Sequence, residues 1–172
     1  QMAADVAAKL VAYRDEHPDA IIDFVGYSGG GGLAIMVAEA LPADFRIRNL
    51  IMCQPALSPA YDLPAAINRV EGRMINFHSP LDWAILGVGT MCLGTMDRKY
   101  VCSAGKSGFE VEKAIPNPQL RDRLAQCSWK LCDAKQWHFG THLGMLTYHW
   151  NKARVAPCLR RNLPADFDPC AR

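Results

Sequence analysis

No excess of charge marks this chain: 19 Lys and Arg stand against 17 Asp and Glu, a formal net of +2. That balance gives no reason to expect nucleic acid or an anionic membrane as the main partner. No apolar run is long enough to span a bilayer. The longest, Ala84 to Met96, is short and rich in glycine. No Cys-x-x-Cys pair occurs among the seven cysteines (Cys53, Cys92, Cys102, Cys127, Cys132, Cys158 and Cys170), so nothing suggests a zinc ribbon. Their odd number and irregular spacing read as mostly buried, reduced thiols in a cytoplasmic protein. A disulfide among the later cysteines stays open. No signal peptide is visible, and Gln1 falls within a helical pattern. Neither a metal nor an organic cofactor is implied.

What is present is an alternation of strands and helices. The 172 residues suffice for one domain with a real core. Met2 to about Arg14 reads as an amphipathic helix ended by His17-Pro18. Ile21 to Val25 reads as a buried strand, followed by the glycine run 29–32 and an apolar helix from Leu33 to Leu41. Ile47 to Cys53 reads as a second strand. Asp62 caps a helix running to Glu71, with Pro64 in its first turn. Met74 to His78 reads as a third strand. An irregular stretch from Leu86 to Pro116 precedes a helix opened by Asn117-Pro118 and running to about Gln126. Trp129 to Trp137, polar at Lys130, Asp133 and Lys135, reads as an edge strand. A last helix runs from Leu143 to about Arg154. This order predicts an α/β domain, a parallel sheet of about four strands with helices on both faces and no internal linker.

The chemistry concentrates at Gly26-Tyr27-Ser28-Gly29-Gly30, a G-x-S-x-G match between a strand and a helix. Raising a nucleophile above the sheet edge needs a sharp, strained turn. Glycine at 26 and 30 is expected to relieve collisions across it. The first-turn N–H groups of the following helix point at the same place, and that of Gly29 is positioned to stabilise an oxyanion. A phosphate-binding loop would need Gly-Lys-Ser/Thr, whereas Gly32 is followed by Leu33-Ala34. A dinucleotide fingerprint would need an acid after the second strand, where Met52-Cys53-Gln54-Pro55 stands. A glycine turn of purely structural purpose is the remaining rival.

On these residues the chain, from about Ala20 to Cys158, resembles the second, C-terminal half of an α/β-hydrolase, the fold of many esterases, lipases and thioesterases. The resemblance implies a triad in the chain order nucleophile, acid, histidine. Ser28 would be the nucleophile. Asp82, in Ser79-Pro80-Leu81-Asp82 just past the third strand, would be the acid, with Asp97 as alternate. In His138-Phe139-Gly140-Thr141-His142, His142 fits the family's histidine, and His138 is the alternate that packs beneath the site. The implied activity is cleavage of a carboxylic ester or thioester with an apolar acyl part, through an acyl-enzyme. An acyltransferase would use the same triad, and a non-catalytic binding module would keep only the fold.

The sequence departs from that pattern in two ways. Only about twenty residues precede the first strand, so the resemblance implies a partial domain lacking the family's N-terminal strands and its second oxyanion donor. Such a domain would expose one sheet edge and have weak activity alone. The segment holding Trp83, Ile85, Leu86, Val88, Met91, Leu93 and Met96 is long, and reads either as core packing or as the wall of an acyl pocket.

Overall fold

The computed structural model describes residues 1–161 and 167–171. Four parallel strands, β1 (Phe24–Tyr27), β2 (Leu50–Cys53), β3 (Met74–His78) and β4 (Leu124–Ser128), lie side by side in chain order. Parallel neighbours need crossovers. Helix α2 (Gly29–Ala40) makes the first. The short α3 (Pro64–Ile67) makes the second, with Ile47 bridged to Val70 at its base. The third holds a π-helical turn (Ala84–Gly89) running into α4 (Thr90–Leu93), then α5 (Ala104–Ser107) and α6 (Val111–Ala114).

Alternation along the strands sorts two cores. Leu50, Met52, Met74 and Leu124 face α1 (Met2–Glu16), α2 and α3, where Ile35, Leu41 and Ile67 are buried. Ile51, Cys53, Ile75, Phe77 and Cys127 face the other way, onto Trp150, Val155 and Cys158 of α7 (Tyr148–Cys158). With both faces covered, the strands read as nearly continuous apolar runs. The result is an α/β domain with a four-stranded parallel sheet and helices on both sides. Among the described residues no helix is long and apolar enough to cross a membrane.

Several expectations need correction. The fourth strand lies at Leu124–Ser128, not Trp129–Trp137. Residues Leu131–Gln136 form a 3-10 turn, because the Asp133 carboxylate accepts the Lys130 N–H at 2.9 Å and caps it. The polarity taken for a strand edge is that cap. Asn117 does open a helical segment, its side chain accepting the Gln119 N–H, but it is a 3-10 segment ending at Arg123. Asp62 caps nothing: α3 starts after Leu63, whose N–H is taken by Ala114 O. The cysteines are not mostly buried thiols either. Cys127 and Cys170 form a disulfide, Cys53 and Cys158 are buried, and Cys92 and Cys132 lie at the surface. The bonded partners are 43 residues apart, a pairing that spacing alone does not reveal.

Candidate active site

In a parallel sheet every strand delivers its C-terminal end to the same side, and three of those ends build this site. Ser28 follows β1 directly with φ +55° and ψ −124°, a conformation that costs a non-glycine residue about 1–3 kcal/mol. The turn is held by its backbone. Ser28 N–H donates to Cys53 O at 2.9 Å, and Ser28 O accepts from Gly31 and Ala56 at 3.0 Å each. Glycine at 26 is required: a Cβ there would lie 2.3 Å from Gly30 O. Glycine at 30 is not, since a Cβ there meets nothing within 4 Å. The collision is one-sided, between position 26 and the Gly30 backbone.

Asp82 lies four residues past β3 and is almost fully buried. Its Oδ1 accepts the Leu86 N–H at 3.3 Å. Its Oδ2 stands 2.5 Å from His142 Nδ1. His142 opens the 3-10 turn His142–Leu146 beyond β4, and its Nε2 is 2.9 Å from Ser28 Oγ. With Nδ1–H donating to the carboxylate, Nε2 is left to accept the serine proton. Ser28, His142 and Asp82 thus form one connected line. Gly29 occupies the first position of α2, so its N–H has no partner within the helix and lies beside the serine.

The two alternates sit elsewhere. Asp97 accepts from Ser58 N–H at 3.0 Å, from Ser58 Oγ at 2.5 Å and from Thr95 Oγ1 at 2.6 Å. The hydroxyl and amide donors hold its carboxyl below the usual range despite partial burial. It helps to line a cavity of about 770 Å³ with Tyr61, Asp62, Lys99 and Glu110, which no member of the Ser28 line reaches. Met96 stands between, packed against Gly29 and Gly32. His138 is fully buried, and its Nδ1 accepts the Gly140 N–H at 3.1 Å. Burial pushes its imidazole down to about 4, against the opposing pull of the Asp133 and Asp82 charges. It is a neutral ring supporting the loop that carries His142.

No family model, curated protein or solved structure matches the chain. Two side chains unassigned from sequence prove central to the site. Tyr27 Oη donates to His142 O at 2.9 Å, and the two rings lie 4.9 Å apart. Desolvation, with the Asp82 charge second, raises the Tyr27 phenol to about 12, so it stays a donor. Ser79 Oγ donates to Gly140 O at 2.6 Å, and the Asp82 N–H donates to Ser79 O at 3.1 Å. Ser79 thus ties the acid's turn to the histidine's loop. Trp129 Nε1 fastens the same loop at His138 O, 2.8 Å away. The available signal was position: Tyr27 is the x of the G-x-S motif, and Ser79 opens the turn that ends in Asp82.

The apolar segment after Asp82 is mostly exposed. Leu86 is buried, but Trp83, Ile85, Val88, Met91, Leu93 and Met96 are exposed.

Proposed function

We propose that the chain is a serine hydrolase of the α/β-hydrolase type, acting on a carboxylic ester or thioester with an apolar acyl part. The observation that carries this reading is the line Ser28 Oγ to His142 Nε2 at 2.9 Å and His142 Nδ1 to Asp82 at 2.5 Å. Three residues far apart in sequence meet in hydrogen-bonding geometry, on a strained serine turn at a helix N-terminus. In this reading His142 takes the Ser28 proton as Oγ bonds to the substrate carbonyl carbon. The Gly29 N–H stabilises the resulting oxyanion. The C–O or C–S bond breaks, and His142 returns the proton to the leaving alcohol or thiol. Water, deprotonated by His142, then attacks the acyl-enzyme and releases the acid. Asp82 holds the tautomer and stabilises the imidazolium without itself taking the proton.

The test is labelling with a fluorophosphonate probe and mapping of the adduct, alongside hydrolysis of p-nitrophenyl esters of increasing chain length. Ser28 is expected to carry the label, and Ser28→Ala to lose both label and turnover. Asp82→Asn should lower kcat by about 10⁴-fold, the cost of the wrong histidine tautomer. An unlabelled Ser28 in folded protein would overturn the hydrolase reading in favour of a binding module. Acyl transfer to an added alcohol without release of free acid would identify an acyltransferase on the same triad.

A further inference from the structure

The N-terminal ends of the strands lie on the opposite side of the sheet from Ser28, and a second group of charged side chains gathers there. Arg14 of α1, residues Ala20 to Ile22 ahead of β1, Arg46 and Arg48 ahead of β2, and Glu71 ahead of β3 line one cavity of about 230 Å³. Arg48 is fully engaged. Its Nε donates to Asp23 Oδ1 at 2.9 Å, its Nη2 to Asp23 Oδ2 and to Leu159 O, and its Nη1 to Arg160 O. Arg48 therefore calls for no further anion.

Arg14 and Arg46 differ from it. Both are half-buried, and Arg14 Nη2 donates to Arg46 O at 3.2 Å, which sets the two residues side by side. Neither forms an ion pair with an Asp or Glu among the described residues. Glu71, the carboxylate that lines the cavity with them, is exposed and pairs with neither. The Arg14 guanidinium lies over the Phe45 ring, 4.9 Å from its centre, and Arg46 Nη1 donates to Ala43 O and Phe45 O. These contacts hold the side chains in place but engage one nitrogen of each guanidinium. Arg14 Nε is buried and finds no acceptor. A buried donor without a partner costs about 1–3 kcal/mol, more when it is charged, and neighbouring cations held partly out of water repel. One kind of group removes both costs, an anion with several oxygens in the cavity that both arginines line.

We propose that this cavity is a phosphate site, with Arg14 and Arg46 sharing the oxygens of one phosphate group. Guanidinium forks suit phosphate because each presents paired N–H groups to paired oxygens. The cavity is smaller than the roughly 300–1,000 Å³ of sites for drug-sized ligands, so the phosphate is free or carries a small substituent. The bound group fastens α1, through Arg14, to the segment that leads into β2, through Arg46. This goes beyond the hydrolase reading and does not depend on it, since Ser28, His142 and Asp82 take no part.

Titration calorimetry and thermal melting of the full chain test it, with inorganic phosphate, glycerol 3-phosphate and acetate at constant ionic strength. Phosphate should bind and raise the melting temperature. Acetate, with only two oxygens to share between two arginines, should bind about tenfold more weakly or worse. Tighter binding of glycerol 3-phosphate identifies a small phosphomonoester as the ligand, and the reverse order identifies free phosphate. Arg14→Gln and Arg46→Gln each remove a charged donor and should weaken phosphate binding about tenfold or more. Glu71→Gln replaces an exposed side chain, so the fold is retained, and loss of its charge should tighten binding about threefold. Ser28→Ala should bind phosphate as the parent does, which keeps this site apart from that of the serine. The proposal is overturned by absence of phosphate binding to the folded parent, by equal binding to folded Arg46→Gln, or by equal binding of acetate. Failure of Glu71→Gln to tighten binding, or loss of binding in Ser28→Ala, overturns it equally.

Discussion

Acidification should unfold this protein partly through a residue that performs no chemistry. His138 is completely buried beneath the His142 loop, its ring edge-on to Trp150 at 5.3 Å. Burial lowers its imidazole from 6.5 to about 4. In the unfolded chain the ring takes up a proton near its ordinary value, while the folded protein refuses that proton until pH 4. Between these limits the unfolded state binds more protons, so stability rises with pH. The contribution is complete above pH 6.5 and is lost as pH falls toward 4. The span is 6.5 − 4 = 2.5 pH units, and at about 1.4 kcal/mol per unit it amounts to about 3 kcal/mol. Urea unfolding at pH 7 and at pH 4 measures it, with His138→Gln as comparison. The variant loses the bond to Gly140 at both pH values, and other carboxylates titrate alike in both proteins, so the difference of differences isolates the ring. The parent should lose about 3 kcal/mol more than the variant on acidification. Equal losses would refute the reasoning.

At the serine turn, Gly26→Ala should cost about 2–4 kcal/mol in chemical denaturation, since the new Cβ meets the Gly30 backbone, which cannot yield. Gly30→Ala, facing open space, should fall within about 1 kcal/mol of the parent, or above it on helix propensity. Tyr27→Phe removes one donor to His142 O, worth about 1 kcal/mol. If the serine hydrolase reading holds, kcat should fall roughly fivefold with KM little changed. Cys170→Ser opens a loop whose closure over 43 residues contributes up to about 4 kcal/mol in the chain-entropy model. Thermal melting with and without a reductant should show the parent falling toward the variant, and the variant unmoved.

Sequence and structure agree best where a physical demand is local. Met74 to His78 is a strand from end to end, because its apolar run is bounded on both sides and buried on both faces. The G-x-S-x-G turn was legible because it marks a single junction between strand and helix. The fourth strand was not. Leu124 to Ser128 is short and half-buried, and its neighbour, Leu131 to Gln136, carries as much apolar character. The Asp133 side chain, turned back onto the Lys130 N–H, caps Leu131 to Gln136 as a 3-10 turn, and that contact is not visible in residue type. The Cys127–Cys170 pair and the exposure of residues 83–96 were illegible for a related reason. Both depend on which surface the rest of the chain leaves uncovered, and composition records nothing of that.

Residue type points to Ser28, Asp82 and His142, but type alone cannot hold them in line. A strained serine and two loops arriving from separate strands would each relax if left to themselves. What opposes relaxation is a set of ordinary hydrogen bonds spanning the site. Tyr27 fixes the histidine from the serine side, and Ser79 joins the acid's turn to Gly140. His138 and Trp129 fasten the loop from below. Each bond is worth about 1 kcal/mol, comparable to the strain at Ser28, so no single one maintains the geometry and their sum does. Loss of Tyr27 or Ser79 alone should therefore weaken the alignment while leaving it recognisable. Loss of both should cost more than the sum of the separate losses, because the two bonds restrain one loop.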